Sequence, residues 1–330
     1  MEREEWRVIL DAVKRAARAV ARDERPARLR YGDWPVVAMY LWAVGHDRAP
    51  SWACDRRHYT GVFRPRRLPS VSQFNRRVAE PRTRLVLQRV HDLLAGPVGA
   101  TALTYLDGKP LAVGVASKDP DAARGHVMGG FARGYKLHAW MTEDRRLPLW
   151  AVTPLNAGEV PVAMALVAHA GAGAQAGGAA LSPRSLVLAD RNYDAHALHK
   201  AVDARGGRLV AHPKDGGRRA RAARAVRAAQ TAAQTAAAVD DVHPVTLRQM
   251  GAARRELLAV RAARPDLLRM ALRHRANAEG ILGNLCGYGG GLTGLPPWAR
   301  RLRRVRRWVG GKIILYHARL RVRRRAKMAA

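Results

Sequence analysis

A chain of 330 residues holds one large domain or two to three small ones. Its 59 Lys and Arg against 26 Asp and Glu leave a net charge of +33, which excludes an ordinary small-molecule enzyme and points to polyanionic partners. Two cysteines, Cys54 and Cys286, exclude both a disulfide framework and a four-thiolate zinc site.

Met1 to Arg7 carries three Glu and no apolar run, so no secretory signal is expected there. Pro35 to Gly45, the longest apolar stretch nearby, is about half of the ~20 residues a membrane-spanning helix needs. A cytoplasmic protein with no membrane partner is expected. Residues 1–98 read as a helical, DNA-binding domain. Trp6, Ile9, Leu10, Val13 and Ala17 recur at helical spacing, and Val36 to Val44 makes a second, mostly apolar helix with Asp33 as its candidate N-cap. A third helix starts at Ser70, whose spacing to Gln73 is that of a capping box. Its outer face is expected to carry Gln73, Arg76 and Arg77. A polar, basic helix after a turn is a DNA-reading arrangement, with a merely solvated face as the plainer alternative.

From Thr101 the period becomes that of strands: Thr101–Leu106, Leu111–Val115, the alternating Tyr135–Met141, and Pro148–Thr153. A helix follows over Val160–His169, then a Gly/Ala connector at 170–180, a strand at Ser185–Ala189, a helix at 194–204 and a strand at Gly207–Ala211. This order over 99–290 predicts an α/β catalytic domain, with an Ala/Arg-rich insertion at 213–262. Asp266–Leu285 reads as one amphipathic helix, ended by the glycine run from Gly287. Residues 291–330 read as a basic C-terminal tail. Its stretch 299–330 holds 13 Lys or Arg and no acid, and Arg303, Arg304 and Arg307 are expected on DNA phosphates.

Three carboxylates stand where this order places strand ends and a closing helix: Asp107, Asp190 and Glu279. A strand–helix–strand crossover makes the strand of Asp190 parallel to one in the first sheet, and if that neighbour carries Asp107 the two side chains meet. Clustered carboxylates resist joint ionisation unless cations join them. Two Mg²⁺ ions, with Mn²⁺ as a substitute, suit such oxygen ligands and serve phosphodiester chemistry. Each residue also has a plainer role. Asp107-Gly108 is a hairpin-turn signal, Asp190 a helix cap, and Glu279 a solvated partner of Arg275. Lys136 and His138 share one face of an alternating strand, either approaching a phosphate or lining an exposed sheet face.

The runs Leu106-Asp107-Gly-Lys-Pro-Leu, Gly134-Tyr-Lys-Leu-His138, Ala189-Asp-Arg-Asn-Tyr-Asp194 and Arg275-x-x-x-Glu279 resemble the catalytic domain of insertion-sequence DDE transposases over roughly 101–290. The resemblance implies a ribonuclease-H-like mixed sheet flanked by helices. It also implies Asp107, Asp190 and Glu279 as catalytic, metal-binding triad, with Arg275 one turn before the Glu. The implied activity is Mg²⁺-dependent cleavage at element ends, then attack of the freed 3′-hydroxyl on target DNA. Implied partners are terminal inverted repeats and target DNA, bound by a homodimer or higher oligomer on a bacterial nucleoid. The family often has Tyr and Lys where this chain has Leu272 and Cys286, and Gly where it has Asn192, a residue that also tolerates the left-handed conformation. A catalytically weakened or non-catalytic DNA-binding derivative, and a simple metal-dependent nuclease, are the alternative readings.

Overall fold

The structure, a computed structural model, describes residues 2–23, 30–59, 61–96, 101–114, 116–127, 129–172, 185–212, 252–287 and 291–329. Residues 213–251 of the expected insertion and 173–180 of the expected connector lie outside them. Helix α1 (Arg3–Asp23) turns Trp6, Ile9, Val13, Ala16 and Val20 inward, an apolar stripe at helical period. In α2 (Asp33–Gly45) every residue from Val36 to Val44 is buried, so an unbroken apolar run is stable there. Helix α3 (Val71–Ala79) opens on the expected capping box, in which Ser70 and Gln73 satisfy each other's backbone N–H groups. Helix α4 (Pro81–Ala95) begins on a proline that needs no N–H partner, and Gly96 ends it at a φ of 70°.

Asp33 does not cap α2. Gly32 holds that position, and the Asp33 carboxylate is buried between the guanidinium groups of Arg77 and Arg82 at 2.8 and 2.7 Å. One side chain thereby ties α2 to α3 and α4.

The sheet comprises β1 (Leu103–Ala112), β2 (Ala123–Val127), β3 (Gly130–Thr142), β4 (Leu149–Pro154), β5 (Leu186–Ala189) and β6 (Arg208–Ala211) in the order β2-β3-β1-β5-β6, with β4 also along β3. It is mixed: β1 is antiparallel to β3 but parallel to β5, which is parallel to β6. The two runs expected as separate strands are one continuous β1. Asp107 and Gly108 pair inside it with Ala139 and His138, which removes the hairpin-turn reading. Strand β2 was not anticipated, because its Ala-Arg-Gly-His-Val carries no hydrophobic alternation. It takes the outer edge of β3 as far as Gly134, and β4 takes the remainder from Tyr135. Glycine is required at that changeover, because a Cβ on Gly134 would collide with the Leu111 carbonyl oxygen.

Helices α5 (Glu159–Ala172) and α6 (His196–Asp203) cover one face, where Leu106, Trp140, Val187, Ala189 and Leu209 pack with Leu166, Val167 and Leu198. On the other face Tyr105, Leu137, Ala139, Met141 and Leu188 share a core with α1 to α4 and the chain's last helices. This mixed sheet flanked by helices is the fold class expected. The single helix expected over Asp266–Leu285 is divided in two, α8 (Pro265–Arg273) and α9 (Ala276–Gly287), and α7 (Ala252–Ala263) precedes them.

The basic tail is no tail. Residues Leu302–Ala329 form one 28-residue helix, α10, whose Val305, Trp308, Val309 and Ile313 to Ala318 are buried against α1, α2, α4 and β4. The arginines that suggest a solvated segment sit at its two ends, while Gly310 to Ala318 supplies the apolar centre. Helix α10 comes so close to α2 that a Cβ on Gly311 would lie 3.0 Å from Val44. Among the described residues no helix is long and apolar enough to cross a membrane.

Candidate active site

Strands β1 and β5 run parallel with Leu106 opposite Ala189, so the next residue on each is Asp107 and Asp190. The register alone brings the two carboxylates to neighbouring positions at one end of the sheet. Asp107 accepts the Gly108 N–H at 2.8 Å, and Asp190 caps the short 3₁₀ turn Arg191–Tyr193 by accepting the Asn192 N–H at 2.8 Å. Asp190 thus follows the strand as expected but caps this turn rather than the next helix, α6, whose N-cap position is held by Ala195. Helix α9 lies across the same face as Asp107, anchored where Asn277 Nδ2 donates to Tyr105 Oη at 3.2 Å. It brings Glu279, 67% exposed and paired at 2.8 Å with Arg275, into electrostatic range of Asp107.

The charges record this crowding. Burial, reinforced by Asp190 and Glu279 and opposed by the Gly108 N–H and Arg275, pushes the Asp107 carboxyl up to about 6. Burial likewise raises Asp190, with Glu159 adding to it. Tyr193, whose phenol feels Glu159, Asp107 and Asp190, is held far above its ordinary value mainly by burial.

Glu159, the first residue of α5, was missed by sequence reasoning. It pairs with Lys136 at 2.8 Å across the surface of Gly108. The available signal was an acid opening the helix that follows the sheet's antiparallel strands, but an acid in a first helical turn is ordinarily a partner of the helix dipole.

As donors, the carboxylates fit a hard divalent cation: they are oxygen ligands, partly desolvated, with one arginine as nearby counter-charge. Among the described residues no three acidic, histidine or cysteine side chains form a ready-made ion cage, since Glu279 turns to Arg275. Asp107, Asp190 and Glu279 would have to draw together around an ion.

Lys136 lies at this site, but His138 does not reach a phosphate. It is 1% exposed, because the strand face it shares with Lys136 is the one α5 covers, and its Nε2 bonds Thr153 Oγ1 at 2.9 Å. Arg77 was expected on the outer face of α3 and is buried instead on Asp33 and Glu80. Gln73 is occupied by its cap, which leaves Arg76 exposed. Arg303 and Arg304 are exposed on α10, while Arg307 is half-buried over the Tyr40 ring and donates to the Val78 carbonyl. Helix α9 extends through Cys286, so that thiol shares a helix with Glu279. Burial raises the Cys286 thiol while Lys109, two residues after Asp107, bonds to it and opposes the shift.

No family model matches the sequence, and no curated protein matches it. Among solved structures the chain is similar to the piggyBac transposase synaptic complex with hairpin DNA, at 11% identity and a TM-score of 0.32 over 64% of this chain. The match spans about half of that transposase chain, 49% of its length.

Proposed function

We propose that this protein is a divalent-metal-dependent DNA phosphodiester enzyme that works as a transposase. One observation carries the reading: the β1/β5 register sets Asp107 and Asp190 side by side at a partly desolvated edge of the sheet, with Glu279 arriving from α9 and Arg275 from the turn before it. Carboxylates so placed are costly unless cations join them. Asp107, Asp190 and Glu279 would hold two Mg²⁺ or Mn²⁺ ions, which when bound supply an activated hydroxyl and a stabilised leaving oxygen. Arg275, released from Glu279 in that arrangement, is placed to hold a phosphate oxygen. Exposed arginines including Arg76, Arg303 and Arg304 would hold the DNA backbone without reading its sequence. The substrates would be element ends and target DNA, brought together by two or more copies of the chain.

The test uses DNA carrying the inverted repeats that flank the gene, with Mg²⁺ and a target plasmid. Cleavage followed by joining supports a transposase, and hydrolysis without joining makes the protein a nuclease. Asp107→Asn, Asp190→Asn and Glu279→Gln should each abolish cleavage while leaving DNA binding within about twofold; cleavage near the wild-type rate removes that residue from the site. A weakened or non-catalytic derivative is the second reading. The exposed Glu279, held by Arg275 rather than aimed at the two aspartates, favours it. DNA binding without metal-dependent cleavage would establish it.

A further inference from the structure

Resting on the reading of Asp107 and Asp190 as an ion site, we propose that Glu159 is a fourth carboxylate of that site and that the Lys136 ammonium is its resident counter-charge, exchanged for the divalent ion on binding. Glu159 opens α5 beside the strand end that carries both aspartates. A Cβ built on Gly108, the residue after Asp107, would meet Lys136 Cδ at 3.3 Å, Glu159 Oε1 at 3.5 Å and Tyr193 Oη at 3.6 Å. The pair thus packs over Gly108 on the face of β1 that α5 covers, and the Glu159 charge is felt at Asp190.

The pairing is also incomplete. Lys136 Nζ engages Glu159 Oε1 at 2.8 Å, and both side chains are largely buried at 15% and 16% exposure. Glu159 Oε2 is buried with no partner. A carboxyl group with one oxygen satisfied and the other enclosed and unbonded is short of a donor or a cation. His138, 1% exposed on the same strand face, also keeps an unbonded Nδ1. A lysine is suited to such exchange, because its ammonium rides on a flexible four-carbon stem and can swing away when a second cation arrives.

The two members of the pair then affect ion affinity in opposite directions, which a purely structural salt bridge would not do. The experiment is calorimetric titration of Mn²⁺ into the full-length protein without DNA, for the wild type, Glu159→Gln, Lys136→Met and Asp107→Asn, with thermal melting in a chelator to confirm folding. Glu159→Gln should weaken Mn²⁺ binding about tenfold, Lys136→Met should tighten it severalfold, and Asp107→Asn should weaken it more than tenfold. If Lys136→Met fails to fold, Lys136→Gln carries the same expectation. If both Glu159 and Lys136 variants stay within twofold of the wild type, or weaken binding together, while Asp107→Asn loses it, the exchange is wrong and the ion site stands. If Asp107→Asn binds Mn²⁺ as the wild type does, or the wild type binds none, the ion site itself falls and this inference falls with it.

Discussion

Substituting Asp33 with alanine would remove the buried carboxylate that Arg77 and Arg82 share at the junction of three helices, while Glu80 stays beside Arg77. Removing one partner of a buried charge cluster is expected to cost about 3–5 kcal/mol. Urea unfolding of Asp33→Ala should show that loss, and an unchanged midpoint would contradict the cluster's structural role. Asp107 is the opposite case. Its carboxylate is held where burial and other carboxylates disfavour ionisation, so Asp107→Asn should melt a few degrees above the wild type in a chelator while losing metal-dependent cleavage. A lower melting temperature would mean that the carboxylate is a structural ligand instead. The sequence displayed Asp190 because a carboxylate that follows a strand is visible in the chain, and Glu279 because it follows Arg275 by one helical turn, whereas Asp107 lies within a strand longer than the sequence indicated. Glu159 and Lys136 were not recognisable as a pair, since what joins them is the packing of α5 on the face of β3, a tertiary contact with no local signature.

Helix α10 shows how an element can be misread from its charge. Thirteen cations over 299–330 read as a tail lying on DNA phosphates, yet the nine residues from Gly310 to Ala318 carry one lysine and otherwise fill the core. That lysine, Lys312, is itself 1% exposed and reaches Asp47. Deleting residues 302–329 should therefore abolish cooperative unfolding, read by circular dichroism, rather than merely weaken DNA binding. A well-folded truncation would return this segment to the role of a tail. His317 offers a finer probe. It is buried, accepts the Leu147 N–H at 3.0 Å, and is held well below its ordinary value by burial, with His91, Arg146 and Arg324 adding to the effect. In the unfolded chain it protonates near pH 6.5. The folded state does not follow, so its stability is lost as pH falls below that point. The stability advantage of the wild type over His317→Gln should narrow between about pH 7 and pH 5, and an advantage that widens would reverse the sign. By contrast α3 was legible to the residue, because a capping box is a local arrangement that needs no tertiary partner.

At the scale of the whole molecule the charge of +33 has few internal acids to meet it, and many arginines remain in solvent. DNA affinity is expected to fall steeply with salt. Arg303→Ala and Arg304→Ala together should flatten the log–log slope by about 2, since each phosphate contact contributes roughly −0.9. An unchanged slope would place the DNA elsewhere on the surface. The packing of α10 against α1, α2 and α4 also sets a timetable for biosynthesis. The ribosome makes those three helices first and must add roughly 200 further residues before α10 emerges, some 10–40 s at about 5–20 residues per second. During that interval the apolar faces of Trp6, Ile9, Val44 and Val90 have no cover from their final neighbour. Shielding of that apolar surface by chaperones is expected during synthesis, and the core shared with α10 can close only once this basic helix has left the exit tunnel.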